Sequence, residues 1–199
     1  MKTLLATGLA FFLLASCSKK GHPITELPPT PAPAPAMKYL DLADSKVPFN
    51  RSFRADLDGN GSYDFSITTE LVGNPAEQSD YRCYYFNGGF FSYSPVNENE
   101  EMPVLTKGEK IGEKAFPNHQ WYNASQLLLS QLVIPMHGNT SWKGSWTDAS
   151  HRYVAISILK ENKFYYGWVE LSFDRTNGEV ILHKAAISQE PGFEVKAGW

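Results

Sequence analysis

The chain has 199 residues, of which 42% are apolar and 20% charged, proportions typical of a globular domain with additional segments. Its formal net charge of −3 leaves no basic surplus for a phosphate backbone, so nucleic-acid binding is not expected. Two cysteines are too few for a disulfide-rich scaffold.

The first 16 residues have the pattern of a secretory signal peptide. Lys2 supplies a basic start, and residues 4–15 form an apolar run that is too short to span a bilayer. The run ends at Leu14-Ala15-Ser16-Cys17, which resembles the lipobox of bacterial lipoproteins. This resemblance implies that Cys17 is acylated and becomes the N-terminus, with an ordinary secretory signal as the alternative. Ser18 then resembles the residue found in lipoproteins of the outer membrane, so we expect a lipid-anchored protein of the cell envelope.

Residues 17–36 predict a tether between the lipid and the folded domain. Six prolines occur among them and no apolar periodicity is visible, so this segment cannot bury enough surface to fold. Its proline-rich end favours extended polyproline II, a semi-rigid spacer. Removal of residues 1–16 leaves 17 basic and 21 acidic residues, a balance that favours divalent cations over anionic lipids.

In residues 37–199, short strand-like runs are separated by turns that contain Gly, Asn and Pro. This pattern indicates one all-β domain, which we predict to be an antiparallel β-sandwich or jelly roll. Two aromatic-rich runs, residues 81–86 and 90–94, flank Asn87-Gly88-Gly89 and predict a β-hairpin. A three-stranded meander is predicted for the runs that follow at residues 153–159, 164–173 and 179–187.

Within the middle strand of this meander, alternation predicts that one face lies in the core. Tyr165, Gly167, Val169, Leu171 and Phe173 share that face.

Residues 124–133 are predicted to form either one short helix or a strand. Leu128 and Leu132 are spaced by four, Asn123 is a candidate cap, and Pro135 would end the helix. Because β-rich surroundings override short helical propensities, a strand is the other interpretation.

The sequence contains one candidate metal-binding motif, an acidic loop at residues 56–64. It has side-chain oxygens at positions 1, 3, 5 and 9, Gly61 at position 6 and a backbone carbonyl at position 7, which is the spacing of an EF-hand-type calcium loop. A hard cation requires six to eight oxygens, and three carboxylates repel one another without a counter-ion. The predicted calcium ligands are Asp56, Asp58, Asn60, Ser62 and Asp64.

Two features separate the acidic loop from a true EF-hand. Position 12 is Ile67 rather than a bidentate glutamate, and the flanking residues 53–55 and 65–68 have the pattern of strands. The loop therefore resembles the Asp-x-Asp-x-Asn-Gly-x-x-Asp loops that join strands in extracellular repeat proteins. Water or a distant acid such as Glu70 would complete the shell. A turn without metal is the alternative.

Four stretches together resemble a broad group of uncharacterised secreted or surface-anchored bacterial β-sandwich proteins, including many Bacteroidetes lipoproteins. They are DLDGNGSYDF in the acidic loop, LTKGEKIG at residues 105–112, FYYGWVELSF at residues 164–173 and HKAAISQEPGFEVKAGW at the C-terminus. The resemblance covers most of residues 37–199. It implies a fold and a location, and no activity.

Signatures of enzymes are sparse. The five histidines show no close pairing in sequence, so they would share a site only if the fold brought them together. Cys83 is expected to be a buried small hydrophobe, and no Gly-x-Ser-x-Gly elbow occurs. The acids Glu98, Glu100 and Glu101 are numerous enough for a glycoside hydrolase but have the pattern of a charged loop.

The aromatic side chains have two interpretations, one as a sugar-binding surface and one as part of the core. Exposed rings would stack on sugars and make the chain a carbohydrate-binding surface lipoprotein, whereas buried rings would fill the core. The leading expectation is a lipid-anchored, calcium-binding module for a glycan or another surface protein, with glycan capture as the alternative and a glycoside hydrolase third. The candidate rings are Trp121, Tyr122, Trp142 and Trp146.

Overall fold

The computed structural model describes residues 34–114 and 116–199. The signal segment, Cys17 and most of the predicted tether lie outside these residues. Within the described part of the chain, no helix is long and apolar enough to cross a membrane. The described residues form thirteen strands: β1 (Met37–Pro48), β2 (Phe53–Ala55), β3 (Phe65–Asn74), β4 (Ser79–Gly88), β5 (Ser92–Val96), β6 (Lys110–Ile111), β7 (Gln120–Tyr122), β8 (Leu127–Pro135), β9 (Ser141–Lys143), β10 (Arg152–Lys160), β11 (Lys163–Asp174), β12 (Glu179–Ser188) and β13 (Val195–Lys196).

Two antiparallel sheets form a sandwich, which confirms the predicted fold class. The six-stranded sheet has the order β1-β12-β11-β10-β5-β7, and the five-stranded sheet has the order β2-β3-β4-β8-β9. A small third sheet pairs β13 with β6. The main core lies between the two large sheets, because apolar side chains from both belong to one buried cluster.

The outer face of the six-stranded sheet is also partly covered. Tyr166 and Trp168 of β11 are almost fully buried there, together with Tyr153 of β10. Leu105, which forms a β-bridge with Tyr153, and Val195 of β13 pack against them. This second layer explains why both faces of β11 are apolar.

The predicted meander is confirmed. β10, β11 and β12 pair in sequence order, and Val169, Leu171 and Phe173 of β11 lie in the core. Gly167 is required for a backbone approach, because a Cβ atom there would lie 2.2 Å from the carbonyl oxygen of Ala186.

The predicted hairpin at residues 81–94 is wrong. β4 pairs with β3 and β8 in one sheet, whereas β5 pairs with β10 and β7 in the other. The two glycines serve a crossover between sheets: Gly88 N donates to Ala124 O (3.2 Å) and Gly89 N donates to Asp64 O (2.7 Å). A Cβ atom on Gly89 would lie 2.2 Å from Tyr63 O, so close backbone contact, rather than a tight turn, requires glycine there.

The helix considered for residues 124–133 does not form, and β8 occupies this segment instead. β4 and β9 pair with its two edges, which satisfies its backbone groups within the sheet. An irregularity in register separates Leu128 from Ser130, and Leu129 between them is fully buried. Because a bulge breaks strict alternation, the apolar spacing of this strand imitates that of a helix.

Candidate metal centre

The acidic loop connects β2 to β3, the strands predicted on its two sides. Ala55 pairs with Phe65, and Asp64 N donates to Ala55 O (2.8 Å), which closes the loop at its base. Leu57 is only 2% exposed and belongs to the main core. The loop is therefore held at both ends by the sheet and in its middle by a buried side chain.

Three of the predicted ligands converge. Asp56, Asp58 and Asp64 each offer a carboxylate oxygen, and these oxygens lie within 4.8 Å of one another. Because the oxygens of one cation's shell lie at comparable separations, this arrangement fits a hard divalent ion.

The loop is wound around the Asp56 carboxylate. Oδ1 accepts hydrogen bonds from Gly59 N (2.6 Å) and Asn60 N (3.2 Å), and Oδ2 accepts one from Gly61 N (2.8 Å). Gly59 and Gly61 have φ of 80° and 90°, which favour glycine. Burial acts to raise the pKa of Asp56, but the three N–H donors outweigh it and lower the pKa.

Asp64 is the buried member of the cluster, with 4% of its surface exposed. Its Oδ2 accepts hydrogen bonds from Leu57 N (2.6 Å) and Asp58 N (3.2 Å). Burial, together with the charges of Asp58 and Asp56, raises the pKa of Asp64 to about 6 despite these bonds. A bound cation would favour the charged form of this carboxylate.

One carboxylate oxygen of Asp58 is buried without a hydrogen-bond partner among the described residues. This oxygen is Oδ2, whereas Oδ1 accepts a hydrogen bond from Asn60 N (3.0 Å). The nearest positive charge is Lys160 Nζ at 3.7 Å. Lys38 also lies beside the loop, since a Cβ atom on Gly59 would come within 2.6 Å of its Nζ. The two ammonium groups partly balance the carboxylates and would compete with an added cation.

The remaining predicted ligands lie at the rim. Asn60 Oδ1 accepts a hydrogen bond from Ser62 N (2.7 Å), and both residues are exposed. They line a groove of about 620 Å³ that also contains Glu161.

The structure gives no support to Glu70 as the additional acid. Glu70 lies on β3, where it pairs with Cys83 of β4, and its carboxylate contacts Gln126. Glu161, in the turn between β10 and β11, lines the loop groove instead. Sequence reasoning missed Glu161 and Lys160 because nothing in a sequence pattern links that turn to a loop about 100 residues earlier. Ile67, at the position of the EF-hand glutamate, is fully buried.

The four candidate aromatic residues are separated by the fold. Trp146 is fully buried, and the half-buried Trp142 packs against Tyr84 and Phe173 beside the main core. Trp121 is partly exposed, and Tyr122 is 59% exposed. Trp146 therefore has no face to offer a sugar.

The half-buried Trp121 and the exposed Tyr122 lie in different grooves. Trp121 lines one of about 660 Å³ with Glu113, Phe164 and Tyr166. Tyr122 lines another of about 940 Å³, whose walls include Glu98 and Glu100.

Cys83 is 3% exposed on β4, as expected for a small buried hydrophobe. Burial raises the pKa of its thiol, which disfavours the reactive thiolate.

Comparison of the chain with protein-family models, with curated proteins and with solved structures found no match in any of the three.

Proposed function

We propose that this chain is a lipid-anchored protein of the cell envelope whose β-sandwich binds a calcium ion in the acidic loop and presents a binding surface. The observation that carries the calcium site is the convergence of Asp56, Asp58 and Asp64, with oxygens within 4.8 Å of one another. Only oxygen ligands are offered there, which favours calcium over metals that prefer nitrogen or sulfur. The ion would hold the loop in its wound shape, and water would complete the shell.

A thermal melt of the full chain tests the calcium site. Saturating calcium is expected to raise the melting temperature by about 5 °C, because a ligand bound only by the native state stabilises it. Asp58→Ala should abolish the increase, whereas Asp80→Ala, at an exposed position on β4, should retain it. Lys160→Gln should lower the calcium concentration that is needed, since one competing charge is removed. An unchanged wild-type melting temperature with calcium would refute the site.

The lipid anchor rests on the Leu14-Ala15-Ser16-Cys17 motif. Acyl chains on Cys17 would hold the protein stably at a membrane, because two or more chains bury many methylene groups. Fractionation of cells tests this anchor: Cys17→Ala should move the protein from the membrane to the soluble fraction. If the variant stays with the membrane, the anchor is wrong.

Glycan binding is the second candidate, and the groove beside Trp121 favours it. The indole is held rigidly, since Nε1 donates to Gly112 O (3.1 Å) and the ring packs on Tyr166 (centroids 5.4 Å apart). Glu113 and Lys163 add polar groups to the same groove. An aromatic wall with a few polar groups suits a sugar ring, which has an apolar face and hydroxyls at its edge.

A panel of polysaccharides titrated against the full chain tests this candidate by tryptophan fluorescence. Trp121→Ala should abolish a response to the binding glycan, while Tyr122→Ala, in the other groove, should leave it unchanged. Flat titrations for the wild type across the panel would eliminate glycan binding.

A further inference from the structure

Side chains from four separate segments meet on the six-stranded sheet. We name them the outer-face cluster. Ser172 and Glu170 lie on β11, His183 on β12, Asp44 on β1, and His151 directly precedes β10. The fold thus brings together two of the five histidines, although the sequence showed no pairing between them.

Three members of the cluster form a hydrogen-bonded relay. His183 Nδ1 lies 2.6 Å from Asp44 Oδ1, and His183 Nε2 lies 2.8 Å from Ser172 Oγ. Because an ionised carboxylate only accepts hydrogen bonds, Nδ1 of the neutral imidazole carries the proton. Nε2 then accepts from the Ser172 hydroxyl, which is the arrangement of a nucleophile, a base and an orienting acid.

A further donor reaches the same serine oxygen. His151 N donates to Ser172 Oγ (2.9 Å), and this N–H fixes the position of the hydroxyl oxygen between His151 and His183. The His151 ring stacks on the His183 ring, with centroids 4.2 Å apart and planes 20° apart. Its Nδ1 lies 2.8 Å from Glu170 Oε1, which fixes the stacked ring in place.

The backbone departs from regular β-structure where it supplies these groups. Asp44 and His151 have φ of 51° and 49°, in the left-handed region that Asp and His adopt more readily than most residues other than glycine. β1 is irregular between Asp41 and Ser45, and the β11–β12 register shifts beside His183. Such bulges re-aim side chains, and here they bring Asp44 and His183 into contact.

We propose that Ser172 is the nucleophile of a site that hydrolyses small carboxylic esters, an activity beyond the proposed function. Ser172 Oγ attacks the acyl carbon while its proton passes to His183 Nε2, and the ester bond breaks as that proton passes to the leaving alkoxide. Water, deprotonated by His183, then cleaves the acyl-serine and restores the Ser172 hydroxyl. Asp44 stabilises the imidazolium in both steps. The side chains of His151 and Asp44 are 64% and 74% exposed, so the site is open to small acyl groups carried on larger molecules.

The full chain, treated with a fluorophosphonate probe and analysed by mass spectrometry, tests the nucleophile. The native protein should gain one label on Ser172, and the heat-unfolded protein and Ser172→Ala should gain none there. Hydrolysis of 4-nitrophenyl acetate should fall about 100-fold in His183→Gln. Asp44→Asn should cause a smaller loss because its carboxylate is exposed.

His119→Ala is the matched control, because this histidine lies in the Tyr122 groove and contacts Phe116, outside the cluster. It should keep the wild-type labelling and rate. The melting temperature of each variant is measured to check that the variant is folded. Absence of labelling in native wild type, or labelling that persists in folded His183→Gln at the wild-type rate, would overturn the proposal.

Discussion

The acidic loop and the outer-face cluster are assembled in opposite ways. The loop draws its three carboxylates from nine consecutive residues, and its own backbone N–H groups hold them. The cluster joins residues up to 139 positions apart, and its geometry depends on the pairing of β1, β11 and β12. A local motif can keep its shape wherever its ends are fixed, whereas a dispersed one exists only in the correct register.

Their connection to the core differs as well. The loop inserts Leu57 into the main core, and the crossover between sheets binds it through Gly89 N and Asp64 O. In the cluster, Asp44 and His151 lie at the surface. We therefore expect changes in the loop to affect stability more than changes in the cluster, and three experiments test this difference.

The largest effect is expected for Leu57→Ala. Removal of this buried side chain should lower the free energy of unfolding by about 2–5 kcal/mol, the usual range for a leucine that leaves a cavity. Leu71→Ala is the control, because Leu71 is 57% exposed on β3 and should change stability by less than about 0.5 kcal/mol. Urea denaturation measures both. Equal effects would mean that the loop is not anchored by Leu57.

A smaller effect is expected from the ionisation of Asp64. Its pKa is raised from 3.8 to about 6, so the native state holds this proton more tightly than the unfolded chain. The resulting stabilisation is complete below about pH 4 and is lost as the pH rises through about 6. Without calcium, the full loss should be on the order of 3 kcal/mol, because the pKa rises by about two units and each unit corresponds to about 1.4 kcal/mol.

Unfolding in urea between pH 4 and pH 7, with a calcium chelator present, measures this dependence. The difference between wild type and Asp64→Asn isolates the Asp64 carboxylate from the other titrating groups. Added calcium should remove most of the loss above pH 6, because it favours the ionised form. A wild type that gains stability relative to Asp64→Asn over this range, without calcium, would contradict the raised pKa.

The smallest effect is expected for Asp44→Asn in the cluster. The Asp44 carboxylate is exposed and its hydrogen bond with His183 Nδ1 is partly solvated, so the loss of this contact should cost about 0.5 kcal/mol or less. Thermal melting measures this variant beside the wild type. A loss of several kcal/mol would show that the cluster holds the fold together, and the contrast between the two regions would disappear.

Much of the fold could be predicted because its signals are local. The meander of β10–β12 follows from alternating apolar residues and polar turns, and the acidic loop follows from the spacing of its carboxylates. One prediction failed, and one choice stayed open, where one local pattern serves two structures. Gly88 and Gly89 are equally suited to a hairpin turn and to a crossover packed against Tyr63 and Asp64. In β8, the bulge at Leu129 produces a helical spacing within a strand.

Other features had no sequence signal. Trp142 and Trp146 lie in a polar, glycine-containing segment, yet Trp146 is buried in the main core and Trp142 packs against it. The ring of His151 meets that of His183 only because the β10–β11–β12 pairing aligns their segments. Burial and contact of this kind depend on partners that are distant in the chain, so composition around each residue does not report them.

The amino-acid sequence by itself determined which segments are extended, which face of β11 points inward and where three carboxylates are concentrated. These properties follow from backbone preferences and side-chain alternation over a few residues. Only the tertiary structure decided that β4 and β5 belong to different sheets, that Trp146 is buried while Tyr122 is exposed, and that Ser172, His183 and Asp44 touch. Such outcomes depend on which strands pair and in which register, a choice made by the packing of the whole core.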